Sequence, residues 1–214
     1  MKYQAVIFDL DGVICSTDRY HYLAWKELAD RLGIYFDEEI NNKLRGVSRM
    51  ESLEIILQQS KVGNDYTIRE KEKFADEKNE IYKKFLLNMS ENDLSHEVKE
   101  TLIKLKDKGL LLAIGSSSKN AMFILRQLGL SDFFDAVCDG NHIKESKPEP
   151  EVFVKAADAL HTSYEKCLVV EDAISGIEAA LAASMDCAAI GGARLCGKAA
   201  YELSTFSDLL KILV

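Results

Sequence analysis

Proline is nearly missing from this chain, with two residues in 214, Pro148 and Pro150. Long stretches are therefore free of rigid punctuation, and that pair marks one special turn. An excess of base is missing too. The 35 acids outweigh 27 lysines and arginines, for a net charge of −8, which argues against a nucleic-acid partner, whose footprint is a basic face. No apolar run approaches the ~20 residues of a membrane span. Asp9 and Asp11 interrupt any signal-like stretch near residue 1. The expectation is a cytoplasmic protein with no membrane and no nucleic-acid partner. C-x-x-C is absent, and Cys15, Cys138, Cys167, Cys187 and Cys196 are odd in number and widely spaced. Neither a disulfide framework nor a zinc site is expected, and the thiols read as reduced and mostly buried. Cys15 lies near the acids, but nothing adjacent marks it as a thiolate. His96, His142 and His161 have no supporting partners in the sequence and read as structural or surface residues.

Strand signals are lacking between residues 15 and 88. Tyr22, Trp25, Leu28, Ala29 and Leu32 fall at helical spacing, with Gly33 as a stop. Leu53, Ile56 and Leu57 form a second helical face, and Ser48 with Glu51 fits a capping box. Residues 67 to 87 read as a long charged helix with Phe74, Ile81, Tyr82 and Phe85 on one side, opened by Thr67 and Glu70 in the same pattern. This all-helical block spans residues 15–88.

Outside it, hydrophobic residues making up 47% of the chain supply ample core. Ala5 to Phe8 reads as a strand, rich in the β-branched and aromatic residues a buried strand prefers. From residue 95, helices alternate with apolar strands at 110–114, 136–138, 167–170 and 187–190, and a helix closes the run at 206–212. Such alternation with short links implies a parallel sheet covered on both faces. The fold expected is α/β, a Rossmann-like parallel sheet core of residues 1–14 and 89–214 with an inserted all-helical cap domain, 15–88. No internal repeat or low-complexity segment stands out.

Four strand ends carry polar residues of selected types. They are Asp9 and Asp11, the run Ser116-Ser117-Ser118-Lys119-Asn120, Lys147 before Pro148, and Glu171-Asp172. In a parallel sheet these C-terminal ends share one edge, where ligands bind. Acids from two strands suit Mg²⁺, which takes carboxylate oxygen together with phosphate and water. A serine leading into a helix N-terminus suits a phosphate oxygen. The set reads as phosphoryl transfer by a carboxylate nucleophile. Taken singly, each piece has a plainer reading. Asp9-Leu10-Asp11-Gly12 is also a good turn, Glu171-Asp172 and Ser116 are also helix caps, and Lys147 is also a surface lysine.

In order and content, the four pieces resemble the haloacid dehalogenase superfamily over almost the whole chain. The resemblance implies that Asp9 is the nucleophile and Asp11 the general acid/base. It implies that Ser116, Ser117, Asn120 and Lys147 bind phosphate, and that Asp9, Asp11 through its backbone carbonyl, Glu171 and Asp172 hold Mg²⁺. Within the family, Asp9 to Val13, Tyr20 to Lys26, Leu44 to Arg49 and Ser116 to Asn120 are similar to its β-phosphoglucomutase branch. Val13 supports this, since the family's phosphatases more often carry threonine there. Lys78 matches a lysine of that branch. The implied reaction turns β-D-glucose 1-phosphate into D-glucose 6-phosphate through an aspartyl-phosphate and β-glucose 1,6-bisphosphate. Arg49 would hold the non-transferring phosphate, and His21, Trp25, Lys78 and the Gly46-Val47-Ser48 turn would line the sugar side. The implied partner is a small sugar phosphate, and a monomer is expected. A sugar-phosphate phosphatase on the same core is the alternative, and a non-catalytic binding protein would break one of these positions. Ala173, where many relatives have serine, and the segment after Gly191 depart from the pattern.

Overall fold

In the computed structural model, residues 2–44, 47–60 and 66–213 are described. The chain divides into two compact units, one of residues 1–16 with 89–214 and one of residues 17–88.

The first unit is built on a parallel six-stranded sheet among the described residues, in the order β3-β2-β1-β4-β5-β6. The strands are β1 (Ala5–Phe8), β2 (Leu111–Gly115), β3 (Ala136–Cys138), β4 (Cys167–Glu171), β5 (Asp186–Ala189) and β6 (Tyr201–Glu202). All four residues of β1 are buried, as a strand with neighbours on both sides and cover on both faces requires. Phe8 pairs with Ile114 of β2 and Val170 of β4. Asp9 therefore leaves the sheet beside the ends of both neighbours. Its own N–H donates to Val170 O at 3.0 Å, continuing the ladder one step further.

Around this sheet run α5 (His96–Asp107), α6 (Ala121–Gln127), α7 (Glu151–Ala159), α8 (Ile174–Ala182) and α9 (Leu209–Leu213). Phe153, Ala156 and Ile177 from the helices pack with Ile7, Val169 and Cys187 from the strands in one buried cluster. The five cysteines are free, and four of them are buried.

The second unit is helical: α1 (Asp18–Arg31), α2 (Glu38–Asn42), α3 (Arg49–Leu57) and α4 (Ile68–Leu86). Its own core gathers Trp25, Leu28, Phe36, Leu53, Ile56 and Ala75. Thr67 and Glu70 form the full reciprocal box at the head of α4, whereas Ser48 caps α3 by accepting from the Glu51 N–H alone. The buried face of α4 is Ala75, Lys78, Ile81, Tyr82 and Leu86. It takes in Lys78 from a run of charged residues, while Phe74 and Phe85 are only half-buried. No helix among the described residues is long and apolar enough to cross a membrane.

The structure adds elements that the hydrophobic pattern does not signal. α2 is a single short turn, held by Asp37 accepting from the Ile40 N–H at 2.9 Å. β6 is two residues long, and the closing helix is split into a 3₁₀ turn at Phe206–Asp208 followed by α9. Segments this short carry too few residues to show a period.

Candidate active site

Residues Leu10 to Cys15 fold back on themselves directly after β1. Ile14 N–H and Cys15 N–H both donate to Leu10 O, and Gly12 N–H donates to Cys15 O at 2.7 Å. Gly12 has φ +89°, a conformation that favours glycine. A Cβ at that position would fall 2.1 Å from Asp172 Oδ2. The glycine thus makes the turn and also lets the Asp172 carboxylate lie against it.

Lys147 binds the site together. Its ammonium donates to Asp9 Oδ1 and, at 2.6 Å, to Glu171 Oε1. All three side chains are largely buried, at 8%, 12% and 1% exposure for Lys147, Asp9 and Glu171. Burial opposes the lysine's charge, but the charges of Asp9 and Glu171 outweigh it and hold the ammonium above the ordinary lysine range. The Lys147–Pro148 peptide is cis. The other oxygen of Glu171 accepts from Ala173 N–H at 2.9 Å, ahead of α8. Asp172 is half-buried, and its carboxyl is pushed up to about 7 by burial first and then by the charges of Glu171 and Asp11. Burial likewise raises Asp9.

After β2, the Ser116 N–H donates to Cys138 O at 3.0 Å, and Ser116 Oγ accepts from Ser118 N–H at 3.2 Å. Ser118 Oγ in turn accepts from Asn120 N–H at 3.2 Å. Ser116 and Asn120 are buried. Ser117 Oγ is also buried, with no hydrogen-bond partner among the described residues. Such a group calls for a ligand or water.

In the helical unit, three of the expected residues, Lys78, His21 and Trp25, come together with Tyr82. Lys78 is 3% exposed. Its ammonium lies 2.7 Å from His21 Nδ1 and 4.7 Å from the ring centres of both Trp25 and Tyr82. The His21 and Tyr82 rings lie 4.1 Å apart. An ammonium only donates, so His21 Nδ1 accepts and the imidazole proton sits on Nε2. Burial, then Lys78 and Arg49, hold the His21 pKa well below 6.5. Arg49 opens α3 and donates to Asn79 Oδ1 at 3.0 Å. Ser48 is exposed and Val47 half-buried, while Gly46 lies outside the described residues.

A family model described as haloacid dehalogenase-like hydrolase matches residues 6–190. The chain belongs to that family. It is 40% identical to the β-phosphoglucomutase of Bacillus subtilis, over 88% of this chain and 83% of the relative. It is 32% identical to the fructose-1-phosphate phosphatase of Escherichia coli, over 86% of this chain and 95% of the relative. Among solved structures, the β-phosphoglucomutase of Clostridium difficile is 37% identical with a TM-score of 0.87, covering 97% of this chain and 93% of that one.

Among the described residues no group of three or more His, Cys, Asp or Glu stands ready as a metal cage. Both Glu171 oxygens are occupied, by Lys147 and by the Ala173 N–H. Cys15 is no thiolate, because burial and the nearby Asp11 and Asp9 raise its pKa.

The sequence reading overlooks the turn after β3. Asp139, 2% exposed, accepts from Asn141 N–H at 2.9 Å, and Asn141 Nδ2 donates to Lys119 O at 2.9 Å. Gly140 N–H donates to Ser118 O at 3.2 Å. This turn braces the serine loop. His142, read as partnerless, has its Nδ1 2.8 Å from Asp139 Oδ1. The Asp-Gly-Asn run after a short strand is good turn chemistry and was the available signal.

Two expected results follow from these environments. An acid whose folded pKa is raised binds more protons folded than unfolded, so its contribution to stability is present below about pH 4 and lost as pH rises through about 7 for Asp172. Removing that carboxylate should therefore help more at high pH. In urea unfolding without divalent cation, Asp172→Asn should gain on the parent protein between pH 5 and pH 8. A constant difference would remove the like-charge account. In the helical unit, Lys78→Met should raise the His21 pKa toward 6.5, since one of the charges lowering it is gone. NMR titration of the imidazole reads this directly, and an unmoved titration would mean that burial and Arg49 set it without Lys78.

Proposed function

We propose that this enzyme is a Mg²⁺-dependent phosphosugar mutase interconverting β-D-glucose 1-phosphate and D-glucose 6-phosphate. The observation that carries this reading is the likeness to the B. subtilis mutase across most of both chains. The Asp9–Lys147–Glu171 arrangement supports the chemistry. Lys147 holds Asp9 Oδ1, which orients the carboxylate and leaves its second oxygen for phosphorus. That oxygen forms the bond to phosphorus as the bond to the donor oxygen breaks, giving an aspartyl-phosphate. Asp11 takes the proton from the sugar hydroxyl as its oxygen bonds to phosphorus and the bond from phosphorus to Asp9 breaks, giving β-glucose 1,6-bisphosphate and the free Asp9 carboxylate. On return of the other phosphate to Asp9, Asp11 gives the proton to the departing sugar oxygen. Ser116, Ser117, Asn120 and Lys147 bind the transferring phosphate. The buried, unpartnered Ser117 hydroxyl supports that role. Arg49, His21, Trp25, Lys78, Val47 and Ser48, with Gly46 outside the described residues, are the proposed residues for the sugar and its other phosphate.

The donor set fits magnesium. It is all oxygen, and a divalent cation would favour the charged form of Asp172, which burial first and then the charges of Glu171 and Asp11 oppose. Mg²⁺ is commonly held by one or two carboxylates plus phosphate and water rather than by a full protein cage. Asp9, Glu171, Asp172 and the Asp11 carbonyl would hold it, and Glu171 also steadies Lys147 beside it. When bound, the cation neutralises charge on the transferring phosphoryl group. Mg²⁺ should stabilise the parent protein at pH 8 and stabilise Asp172→Asn much less, as read by the unfolding midpoint.

The likeness to the E. coli sugar-phosphate phosphatase supports a second reading, hydrolysis through the same aspartyl-phosphate. The two separate on one assay with Mg²⁺, β-glucose 1-phosphate and a trace of β-glucose 1,6-bisphosphate. Glucose 6-phosphate should accumulate. Stoichiometric release of inorganic phosphate without it would replace the mutase by the phosphatase. Within this reading the enzyme is a cytoplasmic monomer, supported by a composition without a disulfide framework.

A further inference from the structure

Gly176 lies in the first turn of α8 and is buried. Alanine is the better helix former at such a position, so local propensity does not explain the glycine. Its surroundings do. A Cβ on Gly176 would fall 1.9 Å from Glu171 Oε1, 2.0 Å from Cδ and 2.5 Å from Cγ. The Glu171 side chain is laid flat over the place where a side chain would be. From there one oxygen reaches Lys147 Nζ at 2.6 Å and the other takes the Ala173 N–H at 2.9 Å. Lys147 in turn reaches Asp9. The chain of contact runs from a helix glycine through a buried acid and a buried ammonium to the nucleophile.

We infer that Gly176 is a positioning residue for phosphoryl transfer. Its missing side chain is the floor on which Glu171 lies, and Glu171 lying there fixes the Lys147 ammonium over Asp9 and the incoming phosphate. Glu171 thereby works as the lysine's holder. Any side chain at 176 lifts the carboxylate, and the lysine loses one of its two anchors. The inference rests on the proposed phosphate site but not on the identity of the sugar.

A double-mutant cycle tests it, with inorganic phosphate as the probe, titrated calorimetrically in Mg²⁺ buffer alongside thermal unfolding. Gly176→Ala should weaken phosphate binding about 10- to 100-fold, the scale of a lost hydrogen bond to a charged group. Glu171→Ala, which removes every atom lying over residue 176, should weaken it at least as much. In the Glu171→Ala background, Gly176→Ala should add less than about twofold, because no acid then covers residue 176. Equal effects in both backgrounds would make Gly176 merely structural and overturn the inference, as would parent-like phosphate binding by Gly176→Ala. Should Gly176→Ala alone fail to fold, the double variant should fold, and its failure would also overturn the inference. A parent enzyme that binds phosphate but turns over no sugar phosphate sinks the proposed function while leaving this cycle readable.

Discussion

Asp9→Asn should abolish turnover, by at least about 10⁴-fold, while the protein stays folded. Loss of a nucleophile registers on this scale because the rest of the site cannot supply the missing bond. The fold should tolerate the change for a specific reason. Burial already raises the Asp9 pKa, so a neutral amide of the same shape removes a charge that the site holds at a penalty. Lys147 keeps its bond to Glu171 at 2.6 Å. Unfolding stability should therefore move by only about 1–2 kcal/mol, the usual range for one altered buried hydrogen bond. Incubation with a labelled sugar bisphosphate should leave no label on the variant. Retained label or near-parent turnover would remove Asp9 from the chemistry.

The second large effect lies on the other side of the same contact. Lys147→Ala should lose turnover and also destabilise the fold by about 3–5 kcal/mol, since it leaves two buried carboxylates without their shared counter-charge. That is a large share of the ~5–15 kcal/mol by which a domain is stable. The loss should depend on pH with a definite sign. Without the ammonium, the folded-state pKa of Asp9 rises further above its unfolded value. The folded state then binds more protons, and stability falls as pH rises through that pKa. Lowering the pH should let the acids protonate and close part of the gap. Urea unfolding at pH 5 and pH 8 should show the larger destabilisation at pH 8. A loss below about 1 kcal/mol, or one that ignores pH, would mean the lysine is solvated and replaceable.

The core of this arrangement was legible because each part sits where a hydrophobic pattern stops. Val6-Ile7-Phe8 must be buried, so Asp9 must mark an edge, and Leu168-Val169-Val170 place Glu171 in the same way. Parallel pairing of β1 with β4 then brings the two edges together. The helical unit was legible as helices but less so as chemistry. Lys78 stands in a run of charged residues, and periodicity says nothing about a lysine that goes inside. It is buried because His21, Trp25 and Tyr82 give its ammonium an acceptor and two ring faces. Pairing across 57 residues is not a local signal. The same holds for the link from Asn141 to Lys119, and for Glu171 over Gly176, where the signal is an atom that is missing. Two-residue β6 and the short α2 were hidden by length alone.

The strand that carries Asp9 also sets a problem of timing. Ala5 pairs with Leu111 on one side and Cys167 on the other, so both partners lie more than a hundred residues along the chain. A ribosome delivers β1 early and its partners late. Until residues 111–114 have emerged, four consecutive apolar residues have no ladder to join, and the ladder on their other side waits for residues 167–170. Contacts of such sequence separation slow folding, because a long loop must close before they form. Meanwhile residues 17–88 contain their own core and can fold on local contacts while β1 waits. The inserted helices thus stand in the order of synthesis as well as in the order of structure. Asp9 is made more than a hundred residues ahead of the strands that surround it.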